Sequence, residues 1–179
     1  RLQMVGDRQT HSLPARPEQL ERFAAFMGYP DAASLSDAVR SHLERVEARL
    51  TEFVRADDDF LTEVASHLIR AGGKRVRPIL TIAAALSAER ELGDATEESV
   101  LGGVSVELVH LGSLYHDDVM DDATTRRTVE SVNAKWGNLQ AILAGDFLLA
   151  RASEIAASLG TEVAGLLAAT ISKLCEGQI

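Results

Sequence analysis

A chain of 179 residues with a formal net charge of −9 is long enough for one domain or part of a larger one, and lacks the basic surface that a nucleic-acid partner needs. Hydrophobic residues make up 46% and aromatics only 4%, with Ala and Leu recurring throughout, which predicts an all-α fold with a sizeable core. No run of about 18 uncharged apolar residues occurs, so no transmembrane segment is expected, and the acidic balance suits a soluble cytoplasmic protein.

Residues 1–50 differ in texture from the rest and hold three of the four prolines. Pro14 and Pro17 bracket a turn, residues 18–27 read as a helix, Gly28-Tyr29-Pro30 breaks it, and Asp31 starts another. This is a small helical head, set apart from a helical bundle over residues 51–179. Its segments RLQMV, DRQTHSLP and FMGYPDA resemble the helical part of bacterial glutamine-synthetase adenylyltransferases, without that family's metal-binding aspartates. The expected role of the head is helical packing.

From Asp57 to Asp59 acid marks a helix start, and Phe60, Leu61, Val64 and Leu68 continue at helical spacing to a stop at Gly72-Gly73. Lys74, Arg75 and Arg77 follow at once, with Pro78 suited to the first turn of the next helix. Cations beside unpaired helix amides make an anion site, or else a solvated basic turn. A helix over residues 79–91 ends near Gly93, and Asp94 with Glu97 reads as a capping box for a long helix. Gly102, Gly103, Ser105, Gly112 and Ser113 on that helix permit either close packing or open space. His110 lies two turns before Asp117 on the same face, where a lone histidine ordinarily belongs to the core.

The long helix ends in four aspartates and two arginines, within ELVHLGSLYHDDVMDDATTRR. Asp117, Asp118 and Asp121 have the spacing D-D-x-x-D, which puts Asp117 and Asp121 on one helix face. Such carboxylates repel unless a hard divalent cation intervenes, and magnesium binds through one or two carboxylates plus substrate phosphates. The alternative is a solvated acidic helix end, although acid there opposes the macrodipole. Arg126 and Arg127 follow closely, and guanidinium forks suit phosphate oxygens. Residues 128–138 read as a polar connection, residues 139–159 as an apolar helix, and residues 163–179 as an unfinished amphipathic one. Asp146 inside the apolar helix is read as a buried acid, either hydrogen-bonded or functional. The lone Cys175 excludes an internal disulfide, and core packing is its expected role. With Arg1 first and Ile179 inside a helical pattern, both ends read as cut.

From about Leu50 the chain resembles the N-terminal half of a trans-isoprenyl (polyprenyl) diphosphate synthase. GGKRVRP, ELVHLGSLYHDDVMD, the arginine pair, AKWGN, GDFLLARA and EGQ all match in order. The resemblance implies a bundle of long helices around a cavity, usually a homodimer, that condenses isopentenyl diphosphate with an allylic diphosphate. Asp117 and Asp121 would hold Mg2+ on the allylic diphosphate with Asp118 in support, and Arg126 would bind the same diphosphate. Lys74, Arg77, His110 and Arg127 would hold isopentenyl diphosphate, which makes His110 a ligand. Gly112 and Ser113, small residues before the aspartates, would form the chain-length pocket, continued by Val109, Val106 and Ser105, and imply a product beyond about fifteen carbons.

The chain departs from the family at Thr128 and Glu130, where Gly and Pro are usual, so a positive φ at Thr128 would be strained. The second aspartate-rich motif is not among these residues, and the chain as written is expected to bind weakly and catalyse little. Three rival readings differ in kind. His116-Asp117 could belong to a metal-dependent phosphohydrolase that also uses His67 and His110. The chain could be a non-catalytic fragment or partner subunit of a prenyl synthase. The head could be the functional part, against which the absence of a nucleotide-binding motif speaks.

Overall fold

The computed structural model describes residues 25, 31–88 and 96–178. The helix read over residues 18–27, the break at Gly28 to Pro30, and the signals at Gly93 and Asp94 lie outside the described residues, apart from Ala25.

Helix α1 spans Ala32–Phe53, and its N-cap Asp31 accepts a hydrogen bond from the Ser34 amide at 2.7 Å. His42, Val46 and Leu50 recur every fourth residue and are buried, so the helix runs through residue 50 with one face in the core. The next stretch, read as one helix to Gly72, is two: α2 over Asp59–Ala65 and α3 over His67–Arg70. Tyr115 is the reason. Its buried hydroxyl donates to the carbonyl of Val64 at 2.8 Å or Ala65 at 3.1 Å, and accepts from the Leu68 amide at 3.4 Å. A side-chain oxygen thus occupies the gap that the Leu68-to-Val64 helix bond would close.

Gly72 turns the chain with φ +82°, Arg75 follows at φ +48°, and α4 runs over Val76–Ala88 with Pro78 in its first turn. Helix α5, Glu97–Met120, is the central element, about 36 Å long at the usual rise per residue. Its N-cap is Thr96, whose hydroxyl accepts from the Ser99 amide, with Glu97 and Glu98 on the favourable end of the dipole. Leu108, Leu111 and Tyr115 are fully buried on it.

Gly103, Gly112 and Ser105 of α5 serve close packing. A Cβ on Gly103 would lie 3.2 Å from Pro78 Cα in α4, and one on Gly112 would lie 3.0 Å from the Gly145 carbonyl oxygen. Ser105 Oγ donates to the Ala152 carbonyl at 2.9 Å.

The connection after α5 is more ordered than its polarity implies. Strands β1 (Thr125–Arg126) and β2 (Val129–Glu130) pair antiparallel, Arg126 opposite Val129. Arg127 and Thr128 form the two-residue turn at φ +51° and +67°, the positive φ expected at Thr128. Helix α6 covers Val132–Trp136, capped by Ser131; α7 covers Asn138–Ser158 and packs along α5; α8 covers Thr161–Gln178 and packs on α7. One apolar core, drawn from α1 through α8, surrounds α5. Among the described residues no helix is long and apolar enough to cross a membrane.

Candidate functional site

The last turn of α5 divides its aspartates. Asp117 is half-buried and borders an apolar cavity of about 560 Å³, while Asp121 caps the helix in solvent, its amide donating to the Asp117 carbonyl at 2.8 Å. Asp118, one residue on, turns inward and is fully buried. Its Oδ1 accepts from Arg126 Nε at 2.7 Å and Nη2 at 2.5 Å, while Oδ2 has no partner. The hydrogen bond from Arg126 to Asp118, against a smaller cost of burial, raises the arginine pKa further.

Hairpin β1–β2 brings Arg126 back to the helix, and Asn133 of α6 donates to the carbonyls of Asp118 and Ala123. Asp118 therefore positions Arg126, whereas Asp117 and Asp121 share the open face. Among the described residues no three His, Cys, Asp or Glu side chains converge to hold a metal. Two hard carboxylates on one face still fit a magnesium that completes its ligands with phosphate oxygens and water.

The basic residues after α3 also divide. Lys74 and Arg77 are exposed at the start of α4. Arg75, read as part of the same anion site, is buried instead: its Nε donates to Glu47 Oε1 at 2.5 Å and its Nη1 to Glu107 Oε1 at 3.1 Å. It is a structural cation. Arg127 Nη1 donates to the carbonyls of Leu68, at 3.0 Å, and Gly72, and its Nη2 lies 3.8 Å from Glu107 Oε1. His110 is half-buried; burial first, then the charges of Arg77, Arg127, Arg126 and Arg75, pull its pKa down to about 4. It is a neutral imidazole within the field of the same arginines.

The cavity lies between α5, α7 and α8. Val109 and Ser113 line it from α5, Ile142 and Leu149 from α7, and Ile171 and Leu174 from α8. Gly112 and Ser105 face α7 instead and form no part of its wall. Two expectations are corrected. Asp146 is 63% exposed, because α7 turns that face outward, and Cys175 is exposed at the cavity edge instead of packed in the core. His67 lies edge-on to Trp136 at 4.9 Å and His116 sits 3.3 Å from Asp146, so the histidines of the phosphohydrolase reading do not gather.

Residues 58–179 match the polyprenyl synthetase family model, and residues 1–54 match one described as GlnD PII-uridylyltransferase. The head thus matches a model named for uridylyltransferases, where its segments suggested adenylyltransferases. The chain is 44% identical to the nonaprenyl diphosphate synthase of Mycobacterium tuberculosis over 147 residues, 82% of this chain and 43% of that protein. Among solved structures it is similar to a heptaprenyl diphosphate synthase from Staphylococcus aureus, with TM-score 0.73, 32% identity, 78% of this chain and 44% of that one. A polyprenyl synthase from Caulobacter crescentus, complexed with calcium and isoprenyl diphosphate, aligns at TM-score 0.73 and 30% identity over 91% of this chain and 44% of that one. The chain spans less than half the length of each of these relatives. The aspartate-bearing helix, the basic turn and the cavity all fall within residues 58–179, and by that match the chain belongs to the polyprenyl synthetase family.

Proposed function

We propose that this chain carries the diphosphate-binding front of a prenyltransferase that condenses isopentenyl diphosphate with an allylic diphosphate into a medium- or long-chain all-trans polyprenyl diphosphate. One observation supports this above all: Asp117 stands at once on the open acidic face and at the edge of an apolar cavity. A diphosphate head and a prenyl tail need those two environments side by side.

In this reading Asp117 and Asp121 would hold Mg2+, which would supply positive charge to the departing diphosphate. Arg126, aimed by its two bonds to Asp118, contacts the same diphosphate. Lys74 and Arg77 attract isopentenyl diphosphate, and neutral His110 donates one N–H to its oxygens. Arg127, read from the sequence as a ligand of isopentenyl diphosphate, instead holds the basic turn in place, its Nη1 donating to the Leu68 and Gly72 carbonyls. The allylic carbon–oxygen bond breaks with its electron pair leaving on the diphosphate; the isopentenyl double bond attacks that carbon, and a proton is lost to form the new double bond. Val109, Ile142 and Leu149 keep water from the cation. Ser113 is the small residue that leaves the cavity open to a long chain, supporting a product beyond about fifteen carbons. Leu139 and Leu143, exposed along α7, support assembly as a homodimer, and the acidic composition accords with a cytoplasmic location.

Calorimetric titration of the chain with inorganic pyrophosphate, with and without magnesium, tests the reading. Magnesium-dependent binding is expected, and Asp117→Ala is expected to remove it, about tenfold or more in affinity. Binding that ignores both magnesium and the substitution would leave the non-catalytic partner as the better reading.

A further inference from the structure

His116 borders the cavity and takes no part in the proposed chemistry. Its ring lies back on α7, with Nε2 3.2 Å from the Ile142 carbonyl oxygen and 3.3 Å from Asp146 Oδ1. Both neighbours accept, so Nε2 carries the proton and donates to them. The ring fits there only because residue 145 has no side chain. A Cβ on Gly145 would lie 2.4 Å from His116 Nε2 and 2.7 Å from Cδ2, far inside van der Waals contact. His116 already lines the cavity, and a helical side chain moves between few rotamers, so a ring displaced from this seat can turn into the cavity.

We propose that Gly145 is a specificity-determining residue: by seating the His116 ring against α7, it keeps the Asp117 end of the cavity wide enough for a long prenyl chain. The inference rests on the diphosphate reading above and adds to it a residue outside the aspartate helix. Asp146 contributes as the tether from an exposed position, its Oδ1 3.3 Å from the His116 ring. The same backbone also approaches α5, because the Gly145 Cβ would come 3.2 Å from the Gly112 carbonyl oxygen. An effect on helix spacing must therefore be told apart from an effect of the ring.

The test uses the full chain with magnesium and three ligands: inorganic pyrophosphate, and the non-hydrolysable thiolo analogues of dimethylallyl and geranylgeranyl diphosphate. Gly145→Ala is expected to leave pyrophosphate affinity unchanged and to lower the affinity for the long analogue, relative to the short one, by about tenfold or more. Adding His116→Ala is expected to restore the long-chain preference. A Gly145→Ala chain that keeps the wild-type preference overturns the proposal. So does a loss that persists in the double variant, which would assign the effect to α5–α7 spacing. Should Gly145→Ala fail to fold by circular dichroism, Asp146→Ala releases the tether from an exposed position, and an unchanged long-to-short ratio there overturns the proposal. Wild-type chain that binds no pyrophosphate overturns the diphosphate reading and this one with it. Wild-type chain that binds pyrophosphate but prefers no long analogue overturns this one alone.

Discussion

His110 shows how one side chain records its surroundings. Burial and the four facing arginines move its pKa from the usual 6.5 to about 4, so the folded chain leaves the imidazole neutral where the unfolded chain protonates it. Between those two values the unfolded state holds more protons. Stability therefore rises with pH across that window and is lost as pH falls from about 6.5 toward 4. Because the ring remains partly solvated, the contribution is on the order of 1 kcal/mol. Urea unfolding at pH 7 and pH 5 should show His110→Asn losing less stability on acidification than wild type by that amount; equal losses would contradict it. The neighbouring aspartates illustrate what spacing can and cannot disclose. The i, i+4 relation put Asp117 and Asp121 on one face, as helix geometry requires. The burial of Asp118 beneath Arg126 depends on a hairpin that folds back from eight residues away, and no local pattern encodes that return.

At the scale of elements, the apolar run located α7 to within a residue at each end, whereas α5 is capped by Thr96, two residues past the capping box read at Asp94. Periodicity missed the break at Ser66, whose cause is the Tyr115 hydroxyl on another helix, and it missed the β1–β2 hairpin, which is only two residues per strand. The strained turn was legible by contrast, since Thr128 stands where φ must be positive. A β-branched residue there is costly, and its hydroxyl bond to the Arg127 carbonyl offsets only part of the strain. Thr128→Gly is expected to stabilise the chain by about 1 kcal/mol, raising the urea midpoint with an unchanged slope. A lowered midpoint would show that the hydroxyl bond outweighs the backbone strain.

For the molecule as a whole, four charged groups tie distant parts of the chain together. Arg75 bonds Glu47 of α1 and Glu107 of α5, and Arg127 of the hairpin turn comes within 3.8 Å of the same Glu107 oxygen. Burial works against the Arg75 charge, yet Glu47 and Glu107 together raise its pKa above the ordinary value. Removing Glu107 would leave buried cations without their shared partner. Glu107→Ala is expected to cost about 3–5 kcal/mol in chemical denaturation, and Glu47→Ala, at a half-exposed site, clearly less. Equal costs would show that the two acids are not ranked by burial. Helix α1 enters this network and also sends Val46 and Leu50 into the common core, while Arg45 and Arg49 grip Glu97. All of α1 nevertheless falls within residues 1–54, matched by one family, whereas its partners fall within residues 58–179, matched by another. The shared core and the ion pairs thus cross the junction between the two matched stretches. Glu47 of α1 and Arg75 of the basic turn lie on opposite sides of residues 54–58, so a cut there would separate an acid from its base.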